Sequence, residues 1–167
     1  LAAMAADLKS DGRTHYDAHA VVLNGSDIAN AYLDDDASTD PFALMEGTTS
    51  CHTGWLKSAG MLLPMGHLIS QGYAPVVGPQ EDIESLRNTI TSFFNENASI
   101  PESGTPYYSY SGAVKCLTEG VGDVAFAKDS TVIEGCNAFH QLLMESHEFG
   151  DFNGDGYQDL IFTLNEN

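Results

Sequence analysis

The stretch SCHTGWLKSAG, residues 50–60, places a threonine, a lysine and a run of small residues within eight positions. Those residue types together hold anions. The start of a helix leaves backbone N–H groups without intrahelical partners and carries the positive end of the dipole. Ala59 and Gly60 let an oxyanion approach that backbone closely, Thr53 adds a hydroxyl donor, and Lys57 adds a positive charge. The chemistry expected is capture of a small planar oxyanion.

A second candidate lies in the tail. DFNGDGYQD, Asp151 to Asp159, follows the pattern D-x-N-x-D-G-x-x-D. Oxygen donors at alternate positions wrap a calcium ion, and the glycine supplies the sharp turn. The predicted donors are Asp151, Asn153, Asp155, Tyr157 and Asp159. The loop is similar to those of EF-hands and of integrin-type FG-GAP repeats. Phe162 occupies the position of the EF-hand's final glutamate, so the FG-GAP-like form fits better.

The elements that must position these groups alternate along the chain. AHAVVL (18–23) reads as a strand, and SDIANAYL as a helix capped by Ser26 or Asp27. KSAGMLLPMGHLISQG (57–72) reads as a helix that Pro64 must begin or kink, ending near Gly72. QEDIESLRNTITSFFNEN (80–97) is expected to be a helix. Its apolar stripe is Ile83, Leu86, Ile90 and Phe93/Phe94, with acids in its first turn. YSGAVKCLTEG (110–120) is a further helix, GDVAFAKDSTV (122–132) a buried strand, and the calcium-type loop runs into a last strand. This order implies an α/β fold with a mixed, mostly parallel sheet flanked by helices. The boundaries expected are residues 1–150 for the main domain and 151–167 for the calcium-loop segment.

Composition limits the function. The 167 residues carry 24 acids against 6 Lys and Arg, a formal net charge of −18. Such a charge argues against nucleic acid and against docking on an anionic membrane. The sequence contains no apolar run of the roughly 18 residues that a spanning helix needs. Apolar residues make up 43%, which excludes a disordered tail. No nucleophile with a positioned base is visible, so the chain reads as a non-enzyme. Sequons at Asn24 and Asn97 suit a secreted or cell-surface glycoprotein. The chain begins without an initiator methionine and reads as a processed chain or part of a longer one.

Four blocks stand in a telling order: THYDAHAVV, SCHTGWLKSAGMLLPMG, YYSYSGAVKCL and GVGDVAFAKDSTV. Together they resemble the second domain of a transferrin lobe. The resemblance covers roughly residues 14–132 and implies a two-domain clamp of the type II periplasmic-binding-protein kind. Such a clamp takes Fe³⁺ with carbonate, and the implied function is iron transport or uptake. By position, Tyr16 and Tyr110 match the two tyrosine ligands. Thr53, Ala59 and Gly60 match the carbonate site. Cys51 and Cys116 match a disulfide, and Lys128 matches a pH-sensitive latch. Three reduced cysteines are the alternative state. If Cys51 and Cys116 pair, Cys136 is left over, free or bonded to another extracellular chain.

The chemistry suits those residue types. Fe³⁺ is a hard cation that prefers anionic oxygen, and a phenol of pKa about 10 gives up its proton at neutral pH only to a strong Lewis acid. The departures are equally specific. Lys57 stands where the resemblance implies arginine, whose flat fork grips a planar oxyanion better than a point charge does. The resemblance places an aspartate ligand upstream of Tyr16, in the other half of the lobe. His140 and His147 sit in no matching motif for the histidine ligand. A structural extracellular domain without iron, stiffened by Ca²⁺ and a disulfide, is the alternative reading, and a one-domain oxyanion binder is a third.

Overall fold

The structure, a computed structural model, describes residues 17–34, 36, 38–128, 130–131, 148–150 and 159–161. Its centre is the strand β3, Val124–Lys128, flanked by β1 (Ala18–Val22) and β2 (Ser50–Cys51) in the order β1-β3-β2. β1 runs antiparallel to β3, with Ala18 opposite Lys128 and Val22 opposite Val124. β2 runs parallel to β3, with Cys51 opposite Ala125, and a further parallel bridge joins Cys51 to Ser99. The sheet is therefore mixed, as the alternation of elements implies.

Alternate side chains of β3 serve opposite faces, as the two-residue period of a strand demands. Val124 and Phe126 join one core with Met61, Met65, Leu68, Ile90, Phe93 and Phe94. Ala125 joins another with Cys51, Ala113, Cys116 and Leu117. The first core is roofed by a continuous helical run and by the helix α3, Ser85–Phe93. That run is a π-helical turn, Ser58–Leu62, followed by α2, Leu63–Ser70. The second core is covered by α4, Ser109–Thr118. The layers are thus helix, sheet, helix.

Local chemistry explains most boundaries. In α1, Asp27–Leu33, the Ser26 hydroxyl accepts from the Ala29 N–H at 3.2 Å, the ordinary N-cap bond. Pro64 stands at the start of α2, at the junction where the π-helical turn gives way to the α-helix. Gly72 follows α2 with φ +85°, a backbone conformation that glycine adopts without penalty.

Two expectations need correction. The helix expected over 80–97 is only Ser85–Phe93, and Glu81, Asp82 and Glu84 precede it in turns. A proline and short Asp82-centred bonds to Glu84 and Ser85 hold that segment in turn geometry. Ile83 consequently leaves the apolar stripe and is 53% exposed. The single helix expected over 57–72 is two pieces, with the wider π-helical turn at the end that meets Thr53.

β4 (Glu148–Gly150) and β5 (Asp159–Ile161) form a separate antiparallel pair with Gly150 opposite Asp159. β5 thus begins at Asp159, the last residue of the calcium-type pattern. Tyr16, Cys136, His140, His147, Asp151, Asn153, Asp155 and Tyr157 lie outside the described residues.

Candidate anion and metal site

The site forms at the carboxyl end of β3. β2 runs parallel to β3, so the chain leaving it carries His52 and Thr53 toward the Lys128 end of the sheet. β1 runs the other way, so its first residue, Ala18, lies opposite Lys128. The first turn of α4 reaches the same edge, because the Ser109 N–H donates to the Thr53 carbonyl at 2.9 Å. Ligand sites in open α/β sheets favour this edge, where loops and helix starts converge.

Thr53 is buried, and its Oγ1 has no hydrogen-bond partner within the protein. A buried hydroxyl left without a partner costs on the order of 1–3 kcal/mol. An arriving oxyanion would accept from it and remove that cost. The hydroxyl sits against Gly60 so tightly that a Cβ there would lie 1.9 Å from Oγ1. Ala59 and Gly60 are both buried at the start of the π-helical turn, which no side chain caps. The residues chosen for an anion site therefore meet: a hydroxyl without a partner, a helix start without a cap, and Lys57 at its threshold.

Backbone strain marks the same place. Leu56 and Ser109 are the non-glycine residues with positive φ among those described, at 57° and 75°. Left-handed conformations cost such residues on the order of 1 kcal/mol or more and persist only where the surroundings enforce them. Here the enforcement is visible: Ser109 is tied to Thr53, and the Leu56 N–H points at Met61 Sδ at 3.3 Å.

His52 holds the site from beneath. Its Nδ1 donates to the Gly60 carbonyl at 2.9 Å, which fixes the tautomer, and its Nε2 lies 3.0 Å from the Ser50 hydroxyl and accepts from it. The ring stacks on Phe126 and meets Phe94 edge-on. Both ring nitrogens are engaged within the fold, so the role of His52 is structural.

Burial pushes the His52 imidazole down to about 4, against the pull of the Gly60 carbonyl. An exposed imidazole titrates near 6.5. The unfolded chain therefore takes up this proton first, and stability is whole above pH 6.5. It falls as the pH drops toward 4, by an order of about 3 kcal/mol once the drop is complete. Replacing His52 with Gln should flatten that component, which denaturant midpoints at pH 7 and pH 5 would show. An equal loss in both proteins would refute it.

Tyr110 is the second residue of α4, and the Lys128 ammonium stands over its ring, 5.6 Å from the centroid. The ligand candidate and the latch candidate are therefore neighbours. Lys57 stands over Tyr108 at 5.3 Å, and Arg87 over Trp55 at 4.2 Å. Lys57 beside the Tyr108 hydroxyl holds that phenol below its usual range. Tyr107 donates to Glu119 at 2.9 Å and is shifted the other way by that carboxylate, in keeping with a packing role. Among the described residues no three His, Cys, Asp or Glu side chains cluster as a metal site.

A disulfide joins Cys51 of β2 to Cys116 of α4, with 6.1 Å between the α-carbons. It locks the strand that delivers Thr53 to the helix that delivers Tyr110. Gly122 makes room for it, since a Cβ there would lie 2.4 Å from Cys51 Sγ.

This arrangement has known counterparts. The sequence matches the transferrin family model over residues 1–105 and 96–149. The chain belongs to the transferrin family. It is 34% identical over 153 residues to lactotransferrin of Camelus dromedarius and 36% identical over 149 residues to serotransferrin of Equus caballus. Those matches cover 78% and 75% of this chain but only 19% and 18% of the relatives. Lactotransferrin of Homo sapiens is 35% identical over 145 residues. The chain thus spans about a fifth of the length of the transferrins it matches. As in transferrin domains generally, the fold is of the type II periplasmic-binding-protein kind.

Sequence reasoning missed Tyr108 and the aromatic seats of Lys57, Lys128 and Arg87. No spacing rule reveals a cation over a ring donated by a distant segment.

Proposed function

We propose that this chain is the anion-bearing half of a transferrin-type ferric-iron site, and that iron and carbonate are its cargo. The observation that carries the reading is the buried Thr53 hydroxyl without a partner, set between the uncapped helix start and Lys57. Thr53, the Ala59 and Gly60 backbone and Lys57 would hold carbonate. Tyr110 would supply one phenolate. Tyr16 would supply another, since it precedes Ala18 by two positions and Ala18 pairs with Lys128 at this edge. The aspartate and histidine ligands would come from the rest of the lobe.

Carbonate neutralises the positive charge of the helix start and of Lys57 while it presents oxygen to the metal. Acid protonates carbonate and phenolate, so affinity falls as pH drops. Lys128, over the Tyr110 ring, would act as the pH-sensitive latch, with a lysine partner from the rest of the lobe. Domain limits of 1–150 and 151–167 belong to this reading. The latter segment would be a calcium loop closed by the β4–β5 ladder. Exposed sequons at Asn24 and Asn97 support an extracellular or cell-surface glycoprotein, as does the disulfide. Among the described residues no helix is long and apolar enough to cross a membrane.

Adding Fe³⁺ and bicarbonate together should produce a visible tyrosinate-to-iron charge-transfer band, and iron alone should not. Tyr110→Phe should remove most of that band. Lys57→Ala should raise the bicarbonate needed for half-maximal colour about tenfold, the loss of one charge-assisted contact. Colour that develops equally in Tyr110→Phe would overturn the assignment.

A further inference from the structure

An arginine at the threshold of an anion site orients itself, because its flat fork fits a planar oxyanion. A lysine does not. Its ammonium is a point charge on a four-carbon stem with free rotation about each bond. Lys57 is exposed, so its own surroundings restrain it little. Something else has to place the charge.

The structure places it with Tyr108. The Lys57 ammonium lies over the Tyr108 ring, 5.3 Å from its centroid. That ring is itself held. One edge of it packs against Gly54, where a Cβ would stand 2.7 Å from Cε2 and 3.1 Å from Cδ2. Gly54 has φ +136°, so both its conformation and the ring above it demand glycine. The residue after Tyr108 donates its N–H to the Thr53 carbonyl at 2.9 Å. One residue thus braces the loop, the charge and, through its neighbour, the threonine.

We propose that Tyr108 is the positioning residue for Lys57, aiming its ammonium at the oxyanion that Thr53 and the helix start receive. The proposal rests on the anion site described above, but not on iron. The ammonium stands beside the Tyr108 hydroxyl as well as over its ring, so phenylalanine should substitute for tyrosine only in part. A cation over an aromatic face is stabilised enough to change anion affinity about twofold to thirtyfold.

The test uses the metal-free protein and ¹³C-labelled bicarbonate, with binding read from exchange broadening of the bicarbonate signal. Tyr108→Leu should weaken binding within that range, and Tyr108→Phe, which keeps the ring, should weaken it less. In a Lys57→Ala background Tyr108→Leu should have no further effect. An equal loss in that background would overturn the proposal, because the ring would then be merely structural.

A second readout needs no variant at Tyr108. The Lys57 ε-methylene protons, identified as the lysine signal lost in Lys57→Arg, should be shifted upfield by the ring. An unshifted signal overturns the proposal even if Tyr108→Leu fails to fold. Bicarbonate binding with the expected Tyr108 dependence but no iron colour would sink the iron reading and leave this one standing.

Discussion

Replacing Gly60 with alanine should abolish bicarbonate-dependent iron binding. The new Cβ would lie 1.9 Å from Thr53 Oγ1, 2.4 Å from Cγ2 and 2.6 Å from Cβ. All three atoms belong to one short, β-branched, buried side chain, which has no flexible end to swing away. Either the threonine rotates out of the site or the π-helical turn moves, and in both cases the hydroxyl and the helix start part company. Overpacking of this kind costs about 2–3 kcal/mol. A control lies six residues on. Gly66, inside α2, has nothing within 4 Å of its would-be Cβ. Gly66→Ala should stabilise the protein by about 0.5–1 kcal/mol and leave anion binding alone. Calorimetric melting of the two variants beside bicarbonate titration separates the effects. Retained colour in Gly60→Ala would show that the threonine and the helix start do not share a ligand.

The double substitution Cys51→Ala with Cys116→Ala should cost about 4 kcal/mol of stability. The bond spans a separation of 65 residues, and closing a loop of that length removes entropy of that order from the unfolded chain. Both cysteines are fully buried beside Ala113, Leu117 and Ala125, so alanine leaves no orphaned polar group. The anion site should loosen as well, because the strand bearing Thr53 and the helix bearing Tyr110 lose their covalent tie. Urea midpoints with and without reductant would measure this. A wild-type protein indifferent to reductant would contradict the bond.

Much of this fold was legible because local chemistry and periodicity agreed. Ser26 caps where its type and place foretell, Pro64 opens α2, and residues 124–127 are buried as a central strand should be. The anion site was legible in part, since Thr53, Lys57, Ala59 and Gly60 are near neighbours in sequence. Tyr110 and Lys128 entered only through family resemblance, and their contact depends on β3 and α4 packing together. Ile83 misled because the helical period continues through it while turn-forming Pro79 and Asp82 withhold the helix until Ser85. Tyr108 was invisible because its partners, Gly54 and Lys57, lie fifty residues or more upstream.

The strand order carries a consequence for biosynthesis. β1 and β2 both pair with β3, and on the described sheet β1 has no other neighbour. Synthesis runs from the amino end, so β1 emerges about a hundred residues before its companion exists. Over that interval its backbone donors and acceptors stand open to any other nascent chain. A chain whose synthesis ends before residue 124 would therefore expose a template for misassembly, and one released with β3 complete would not.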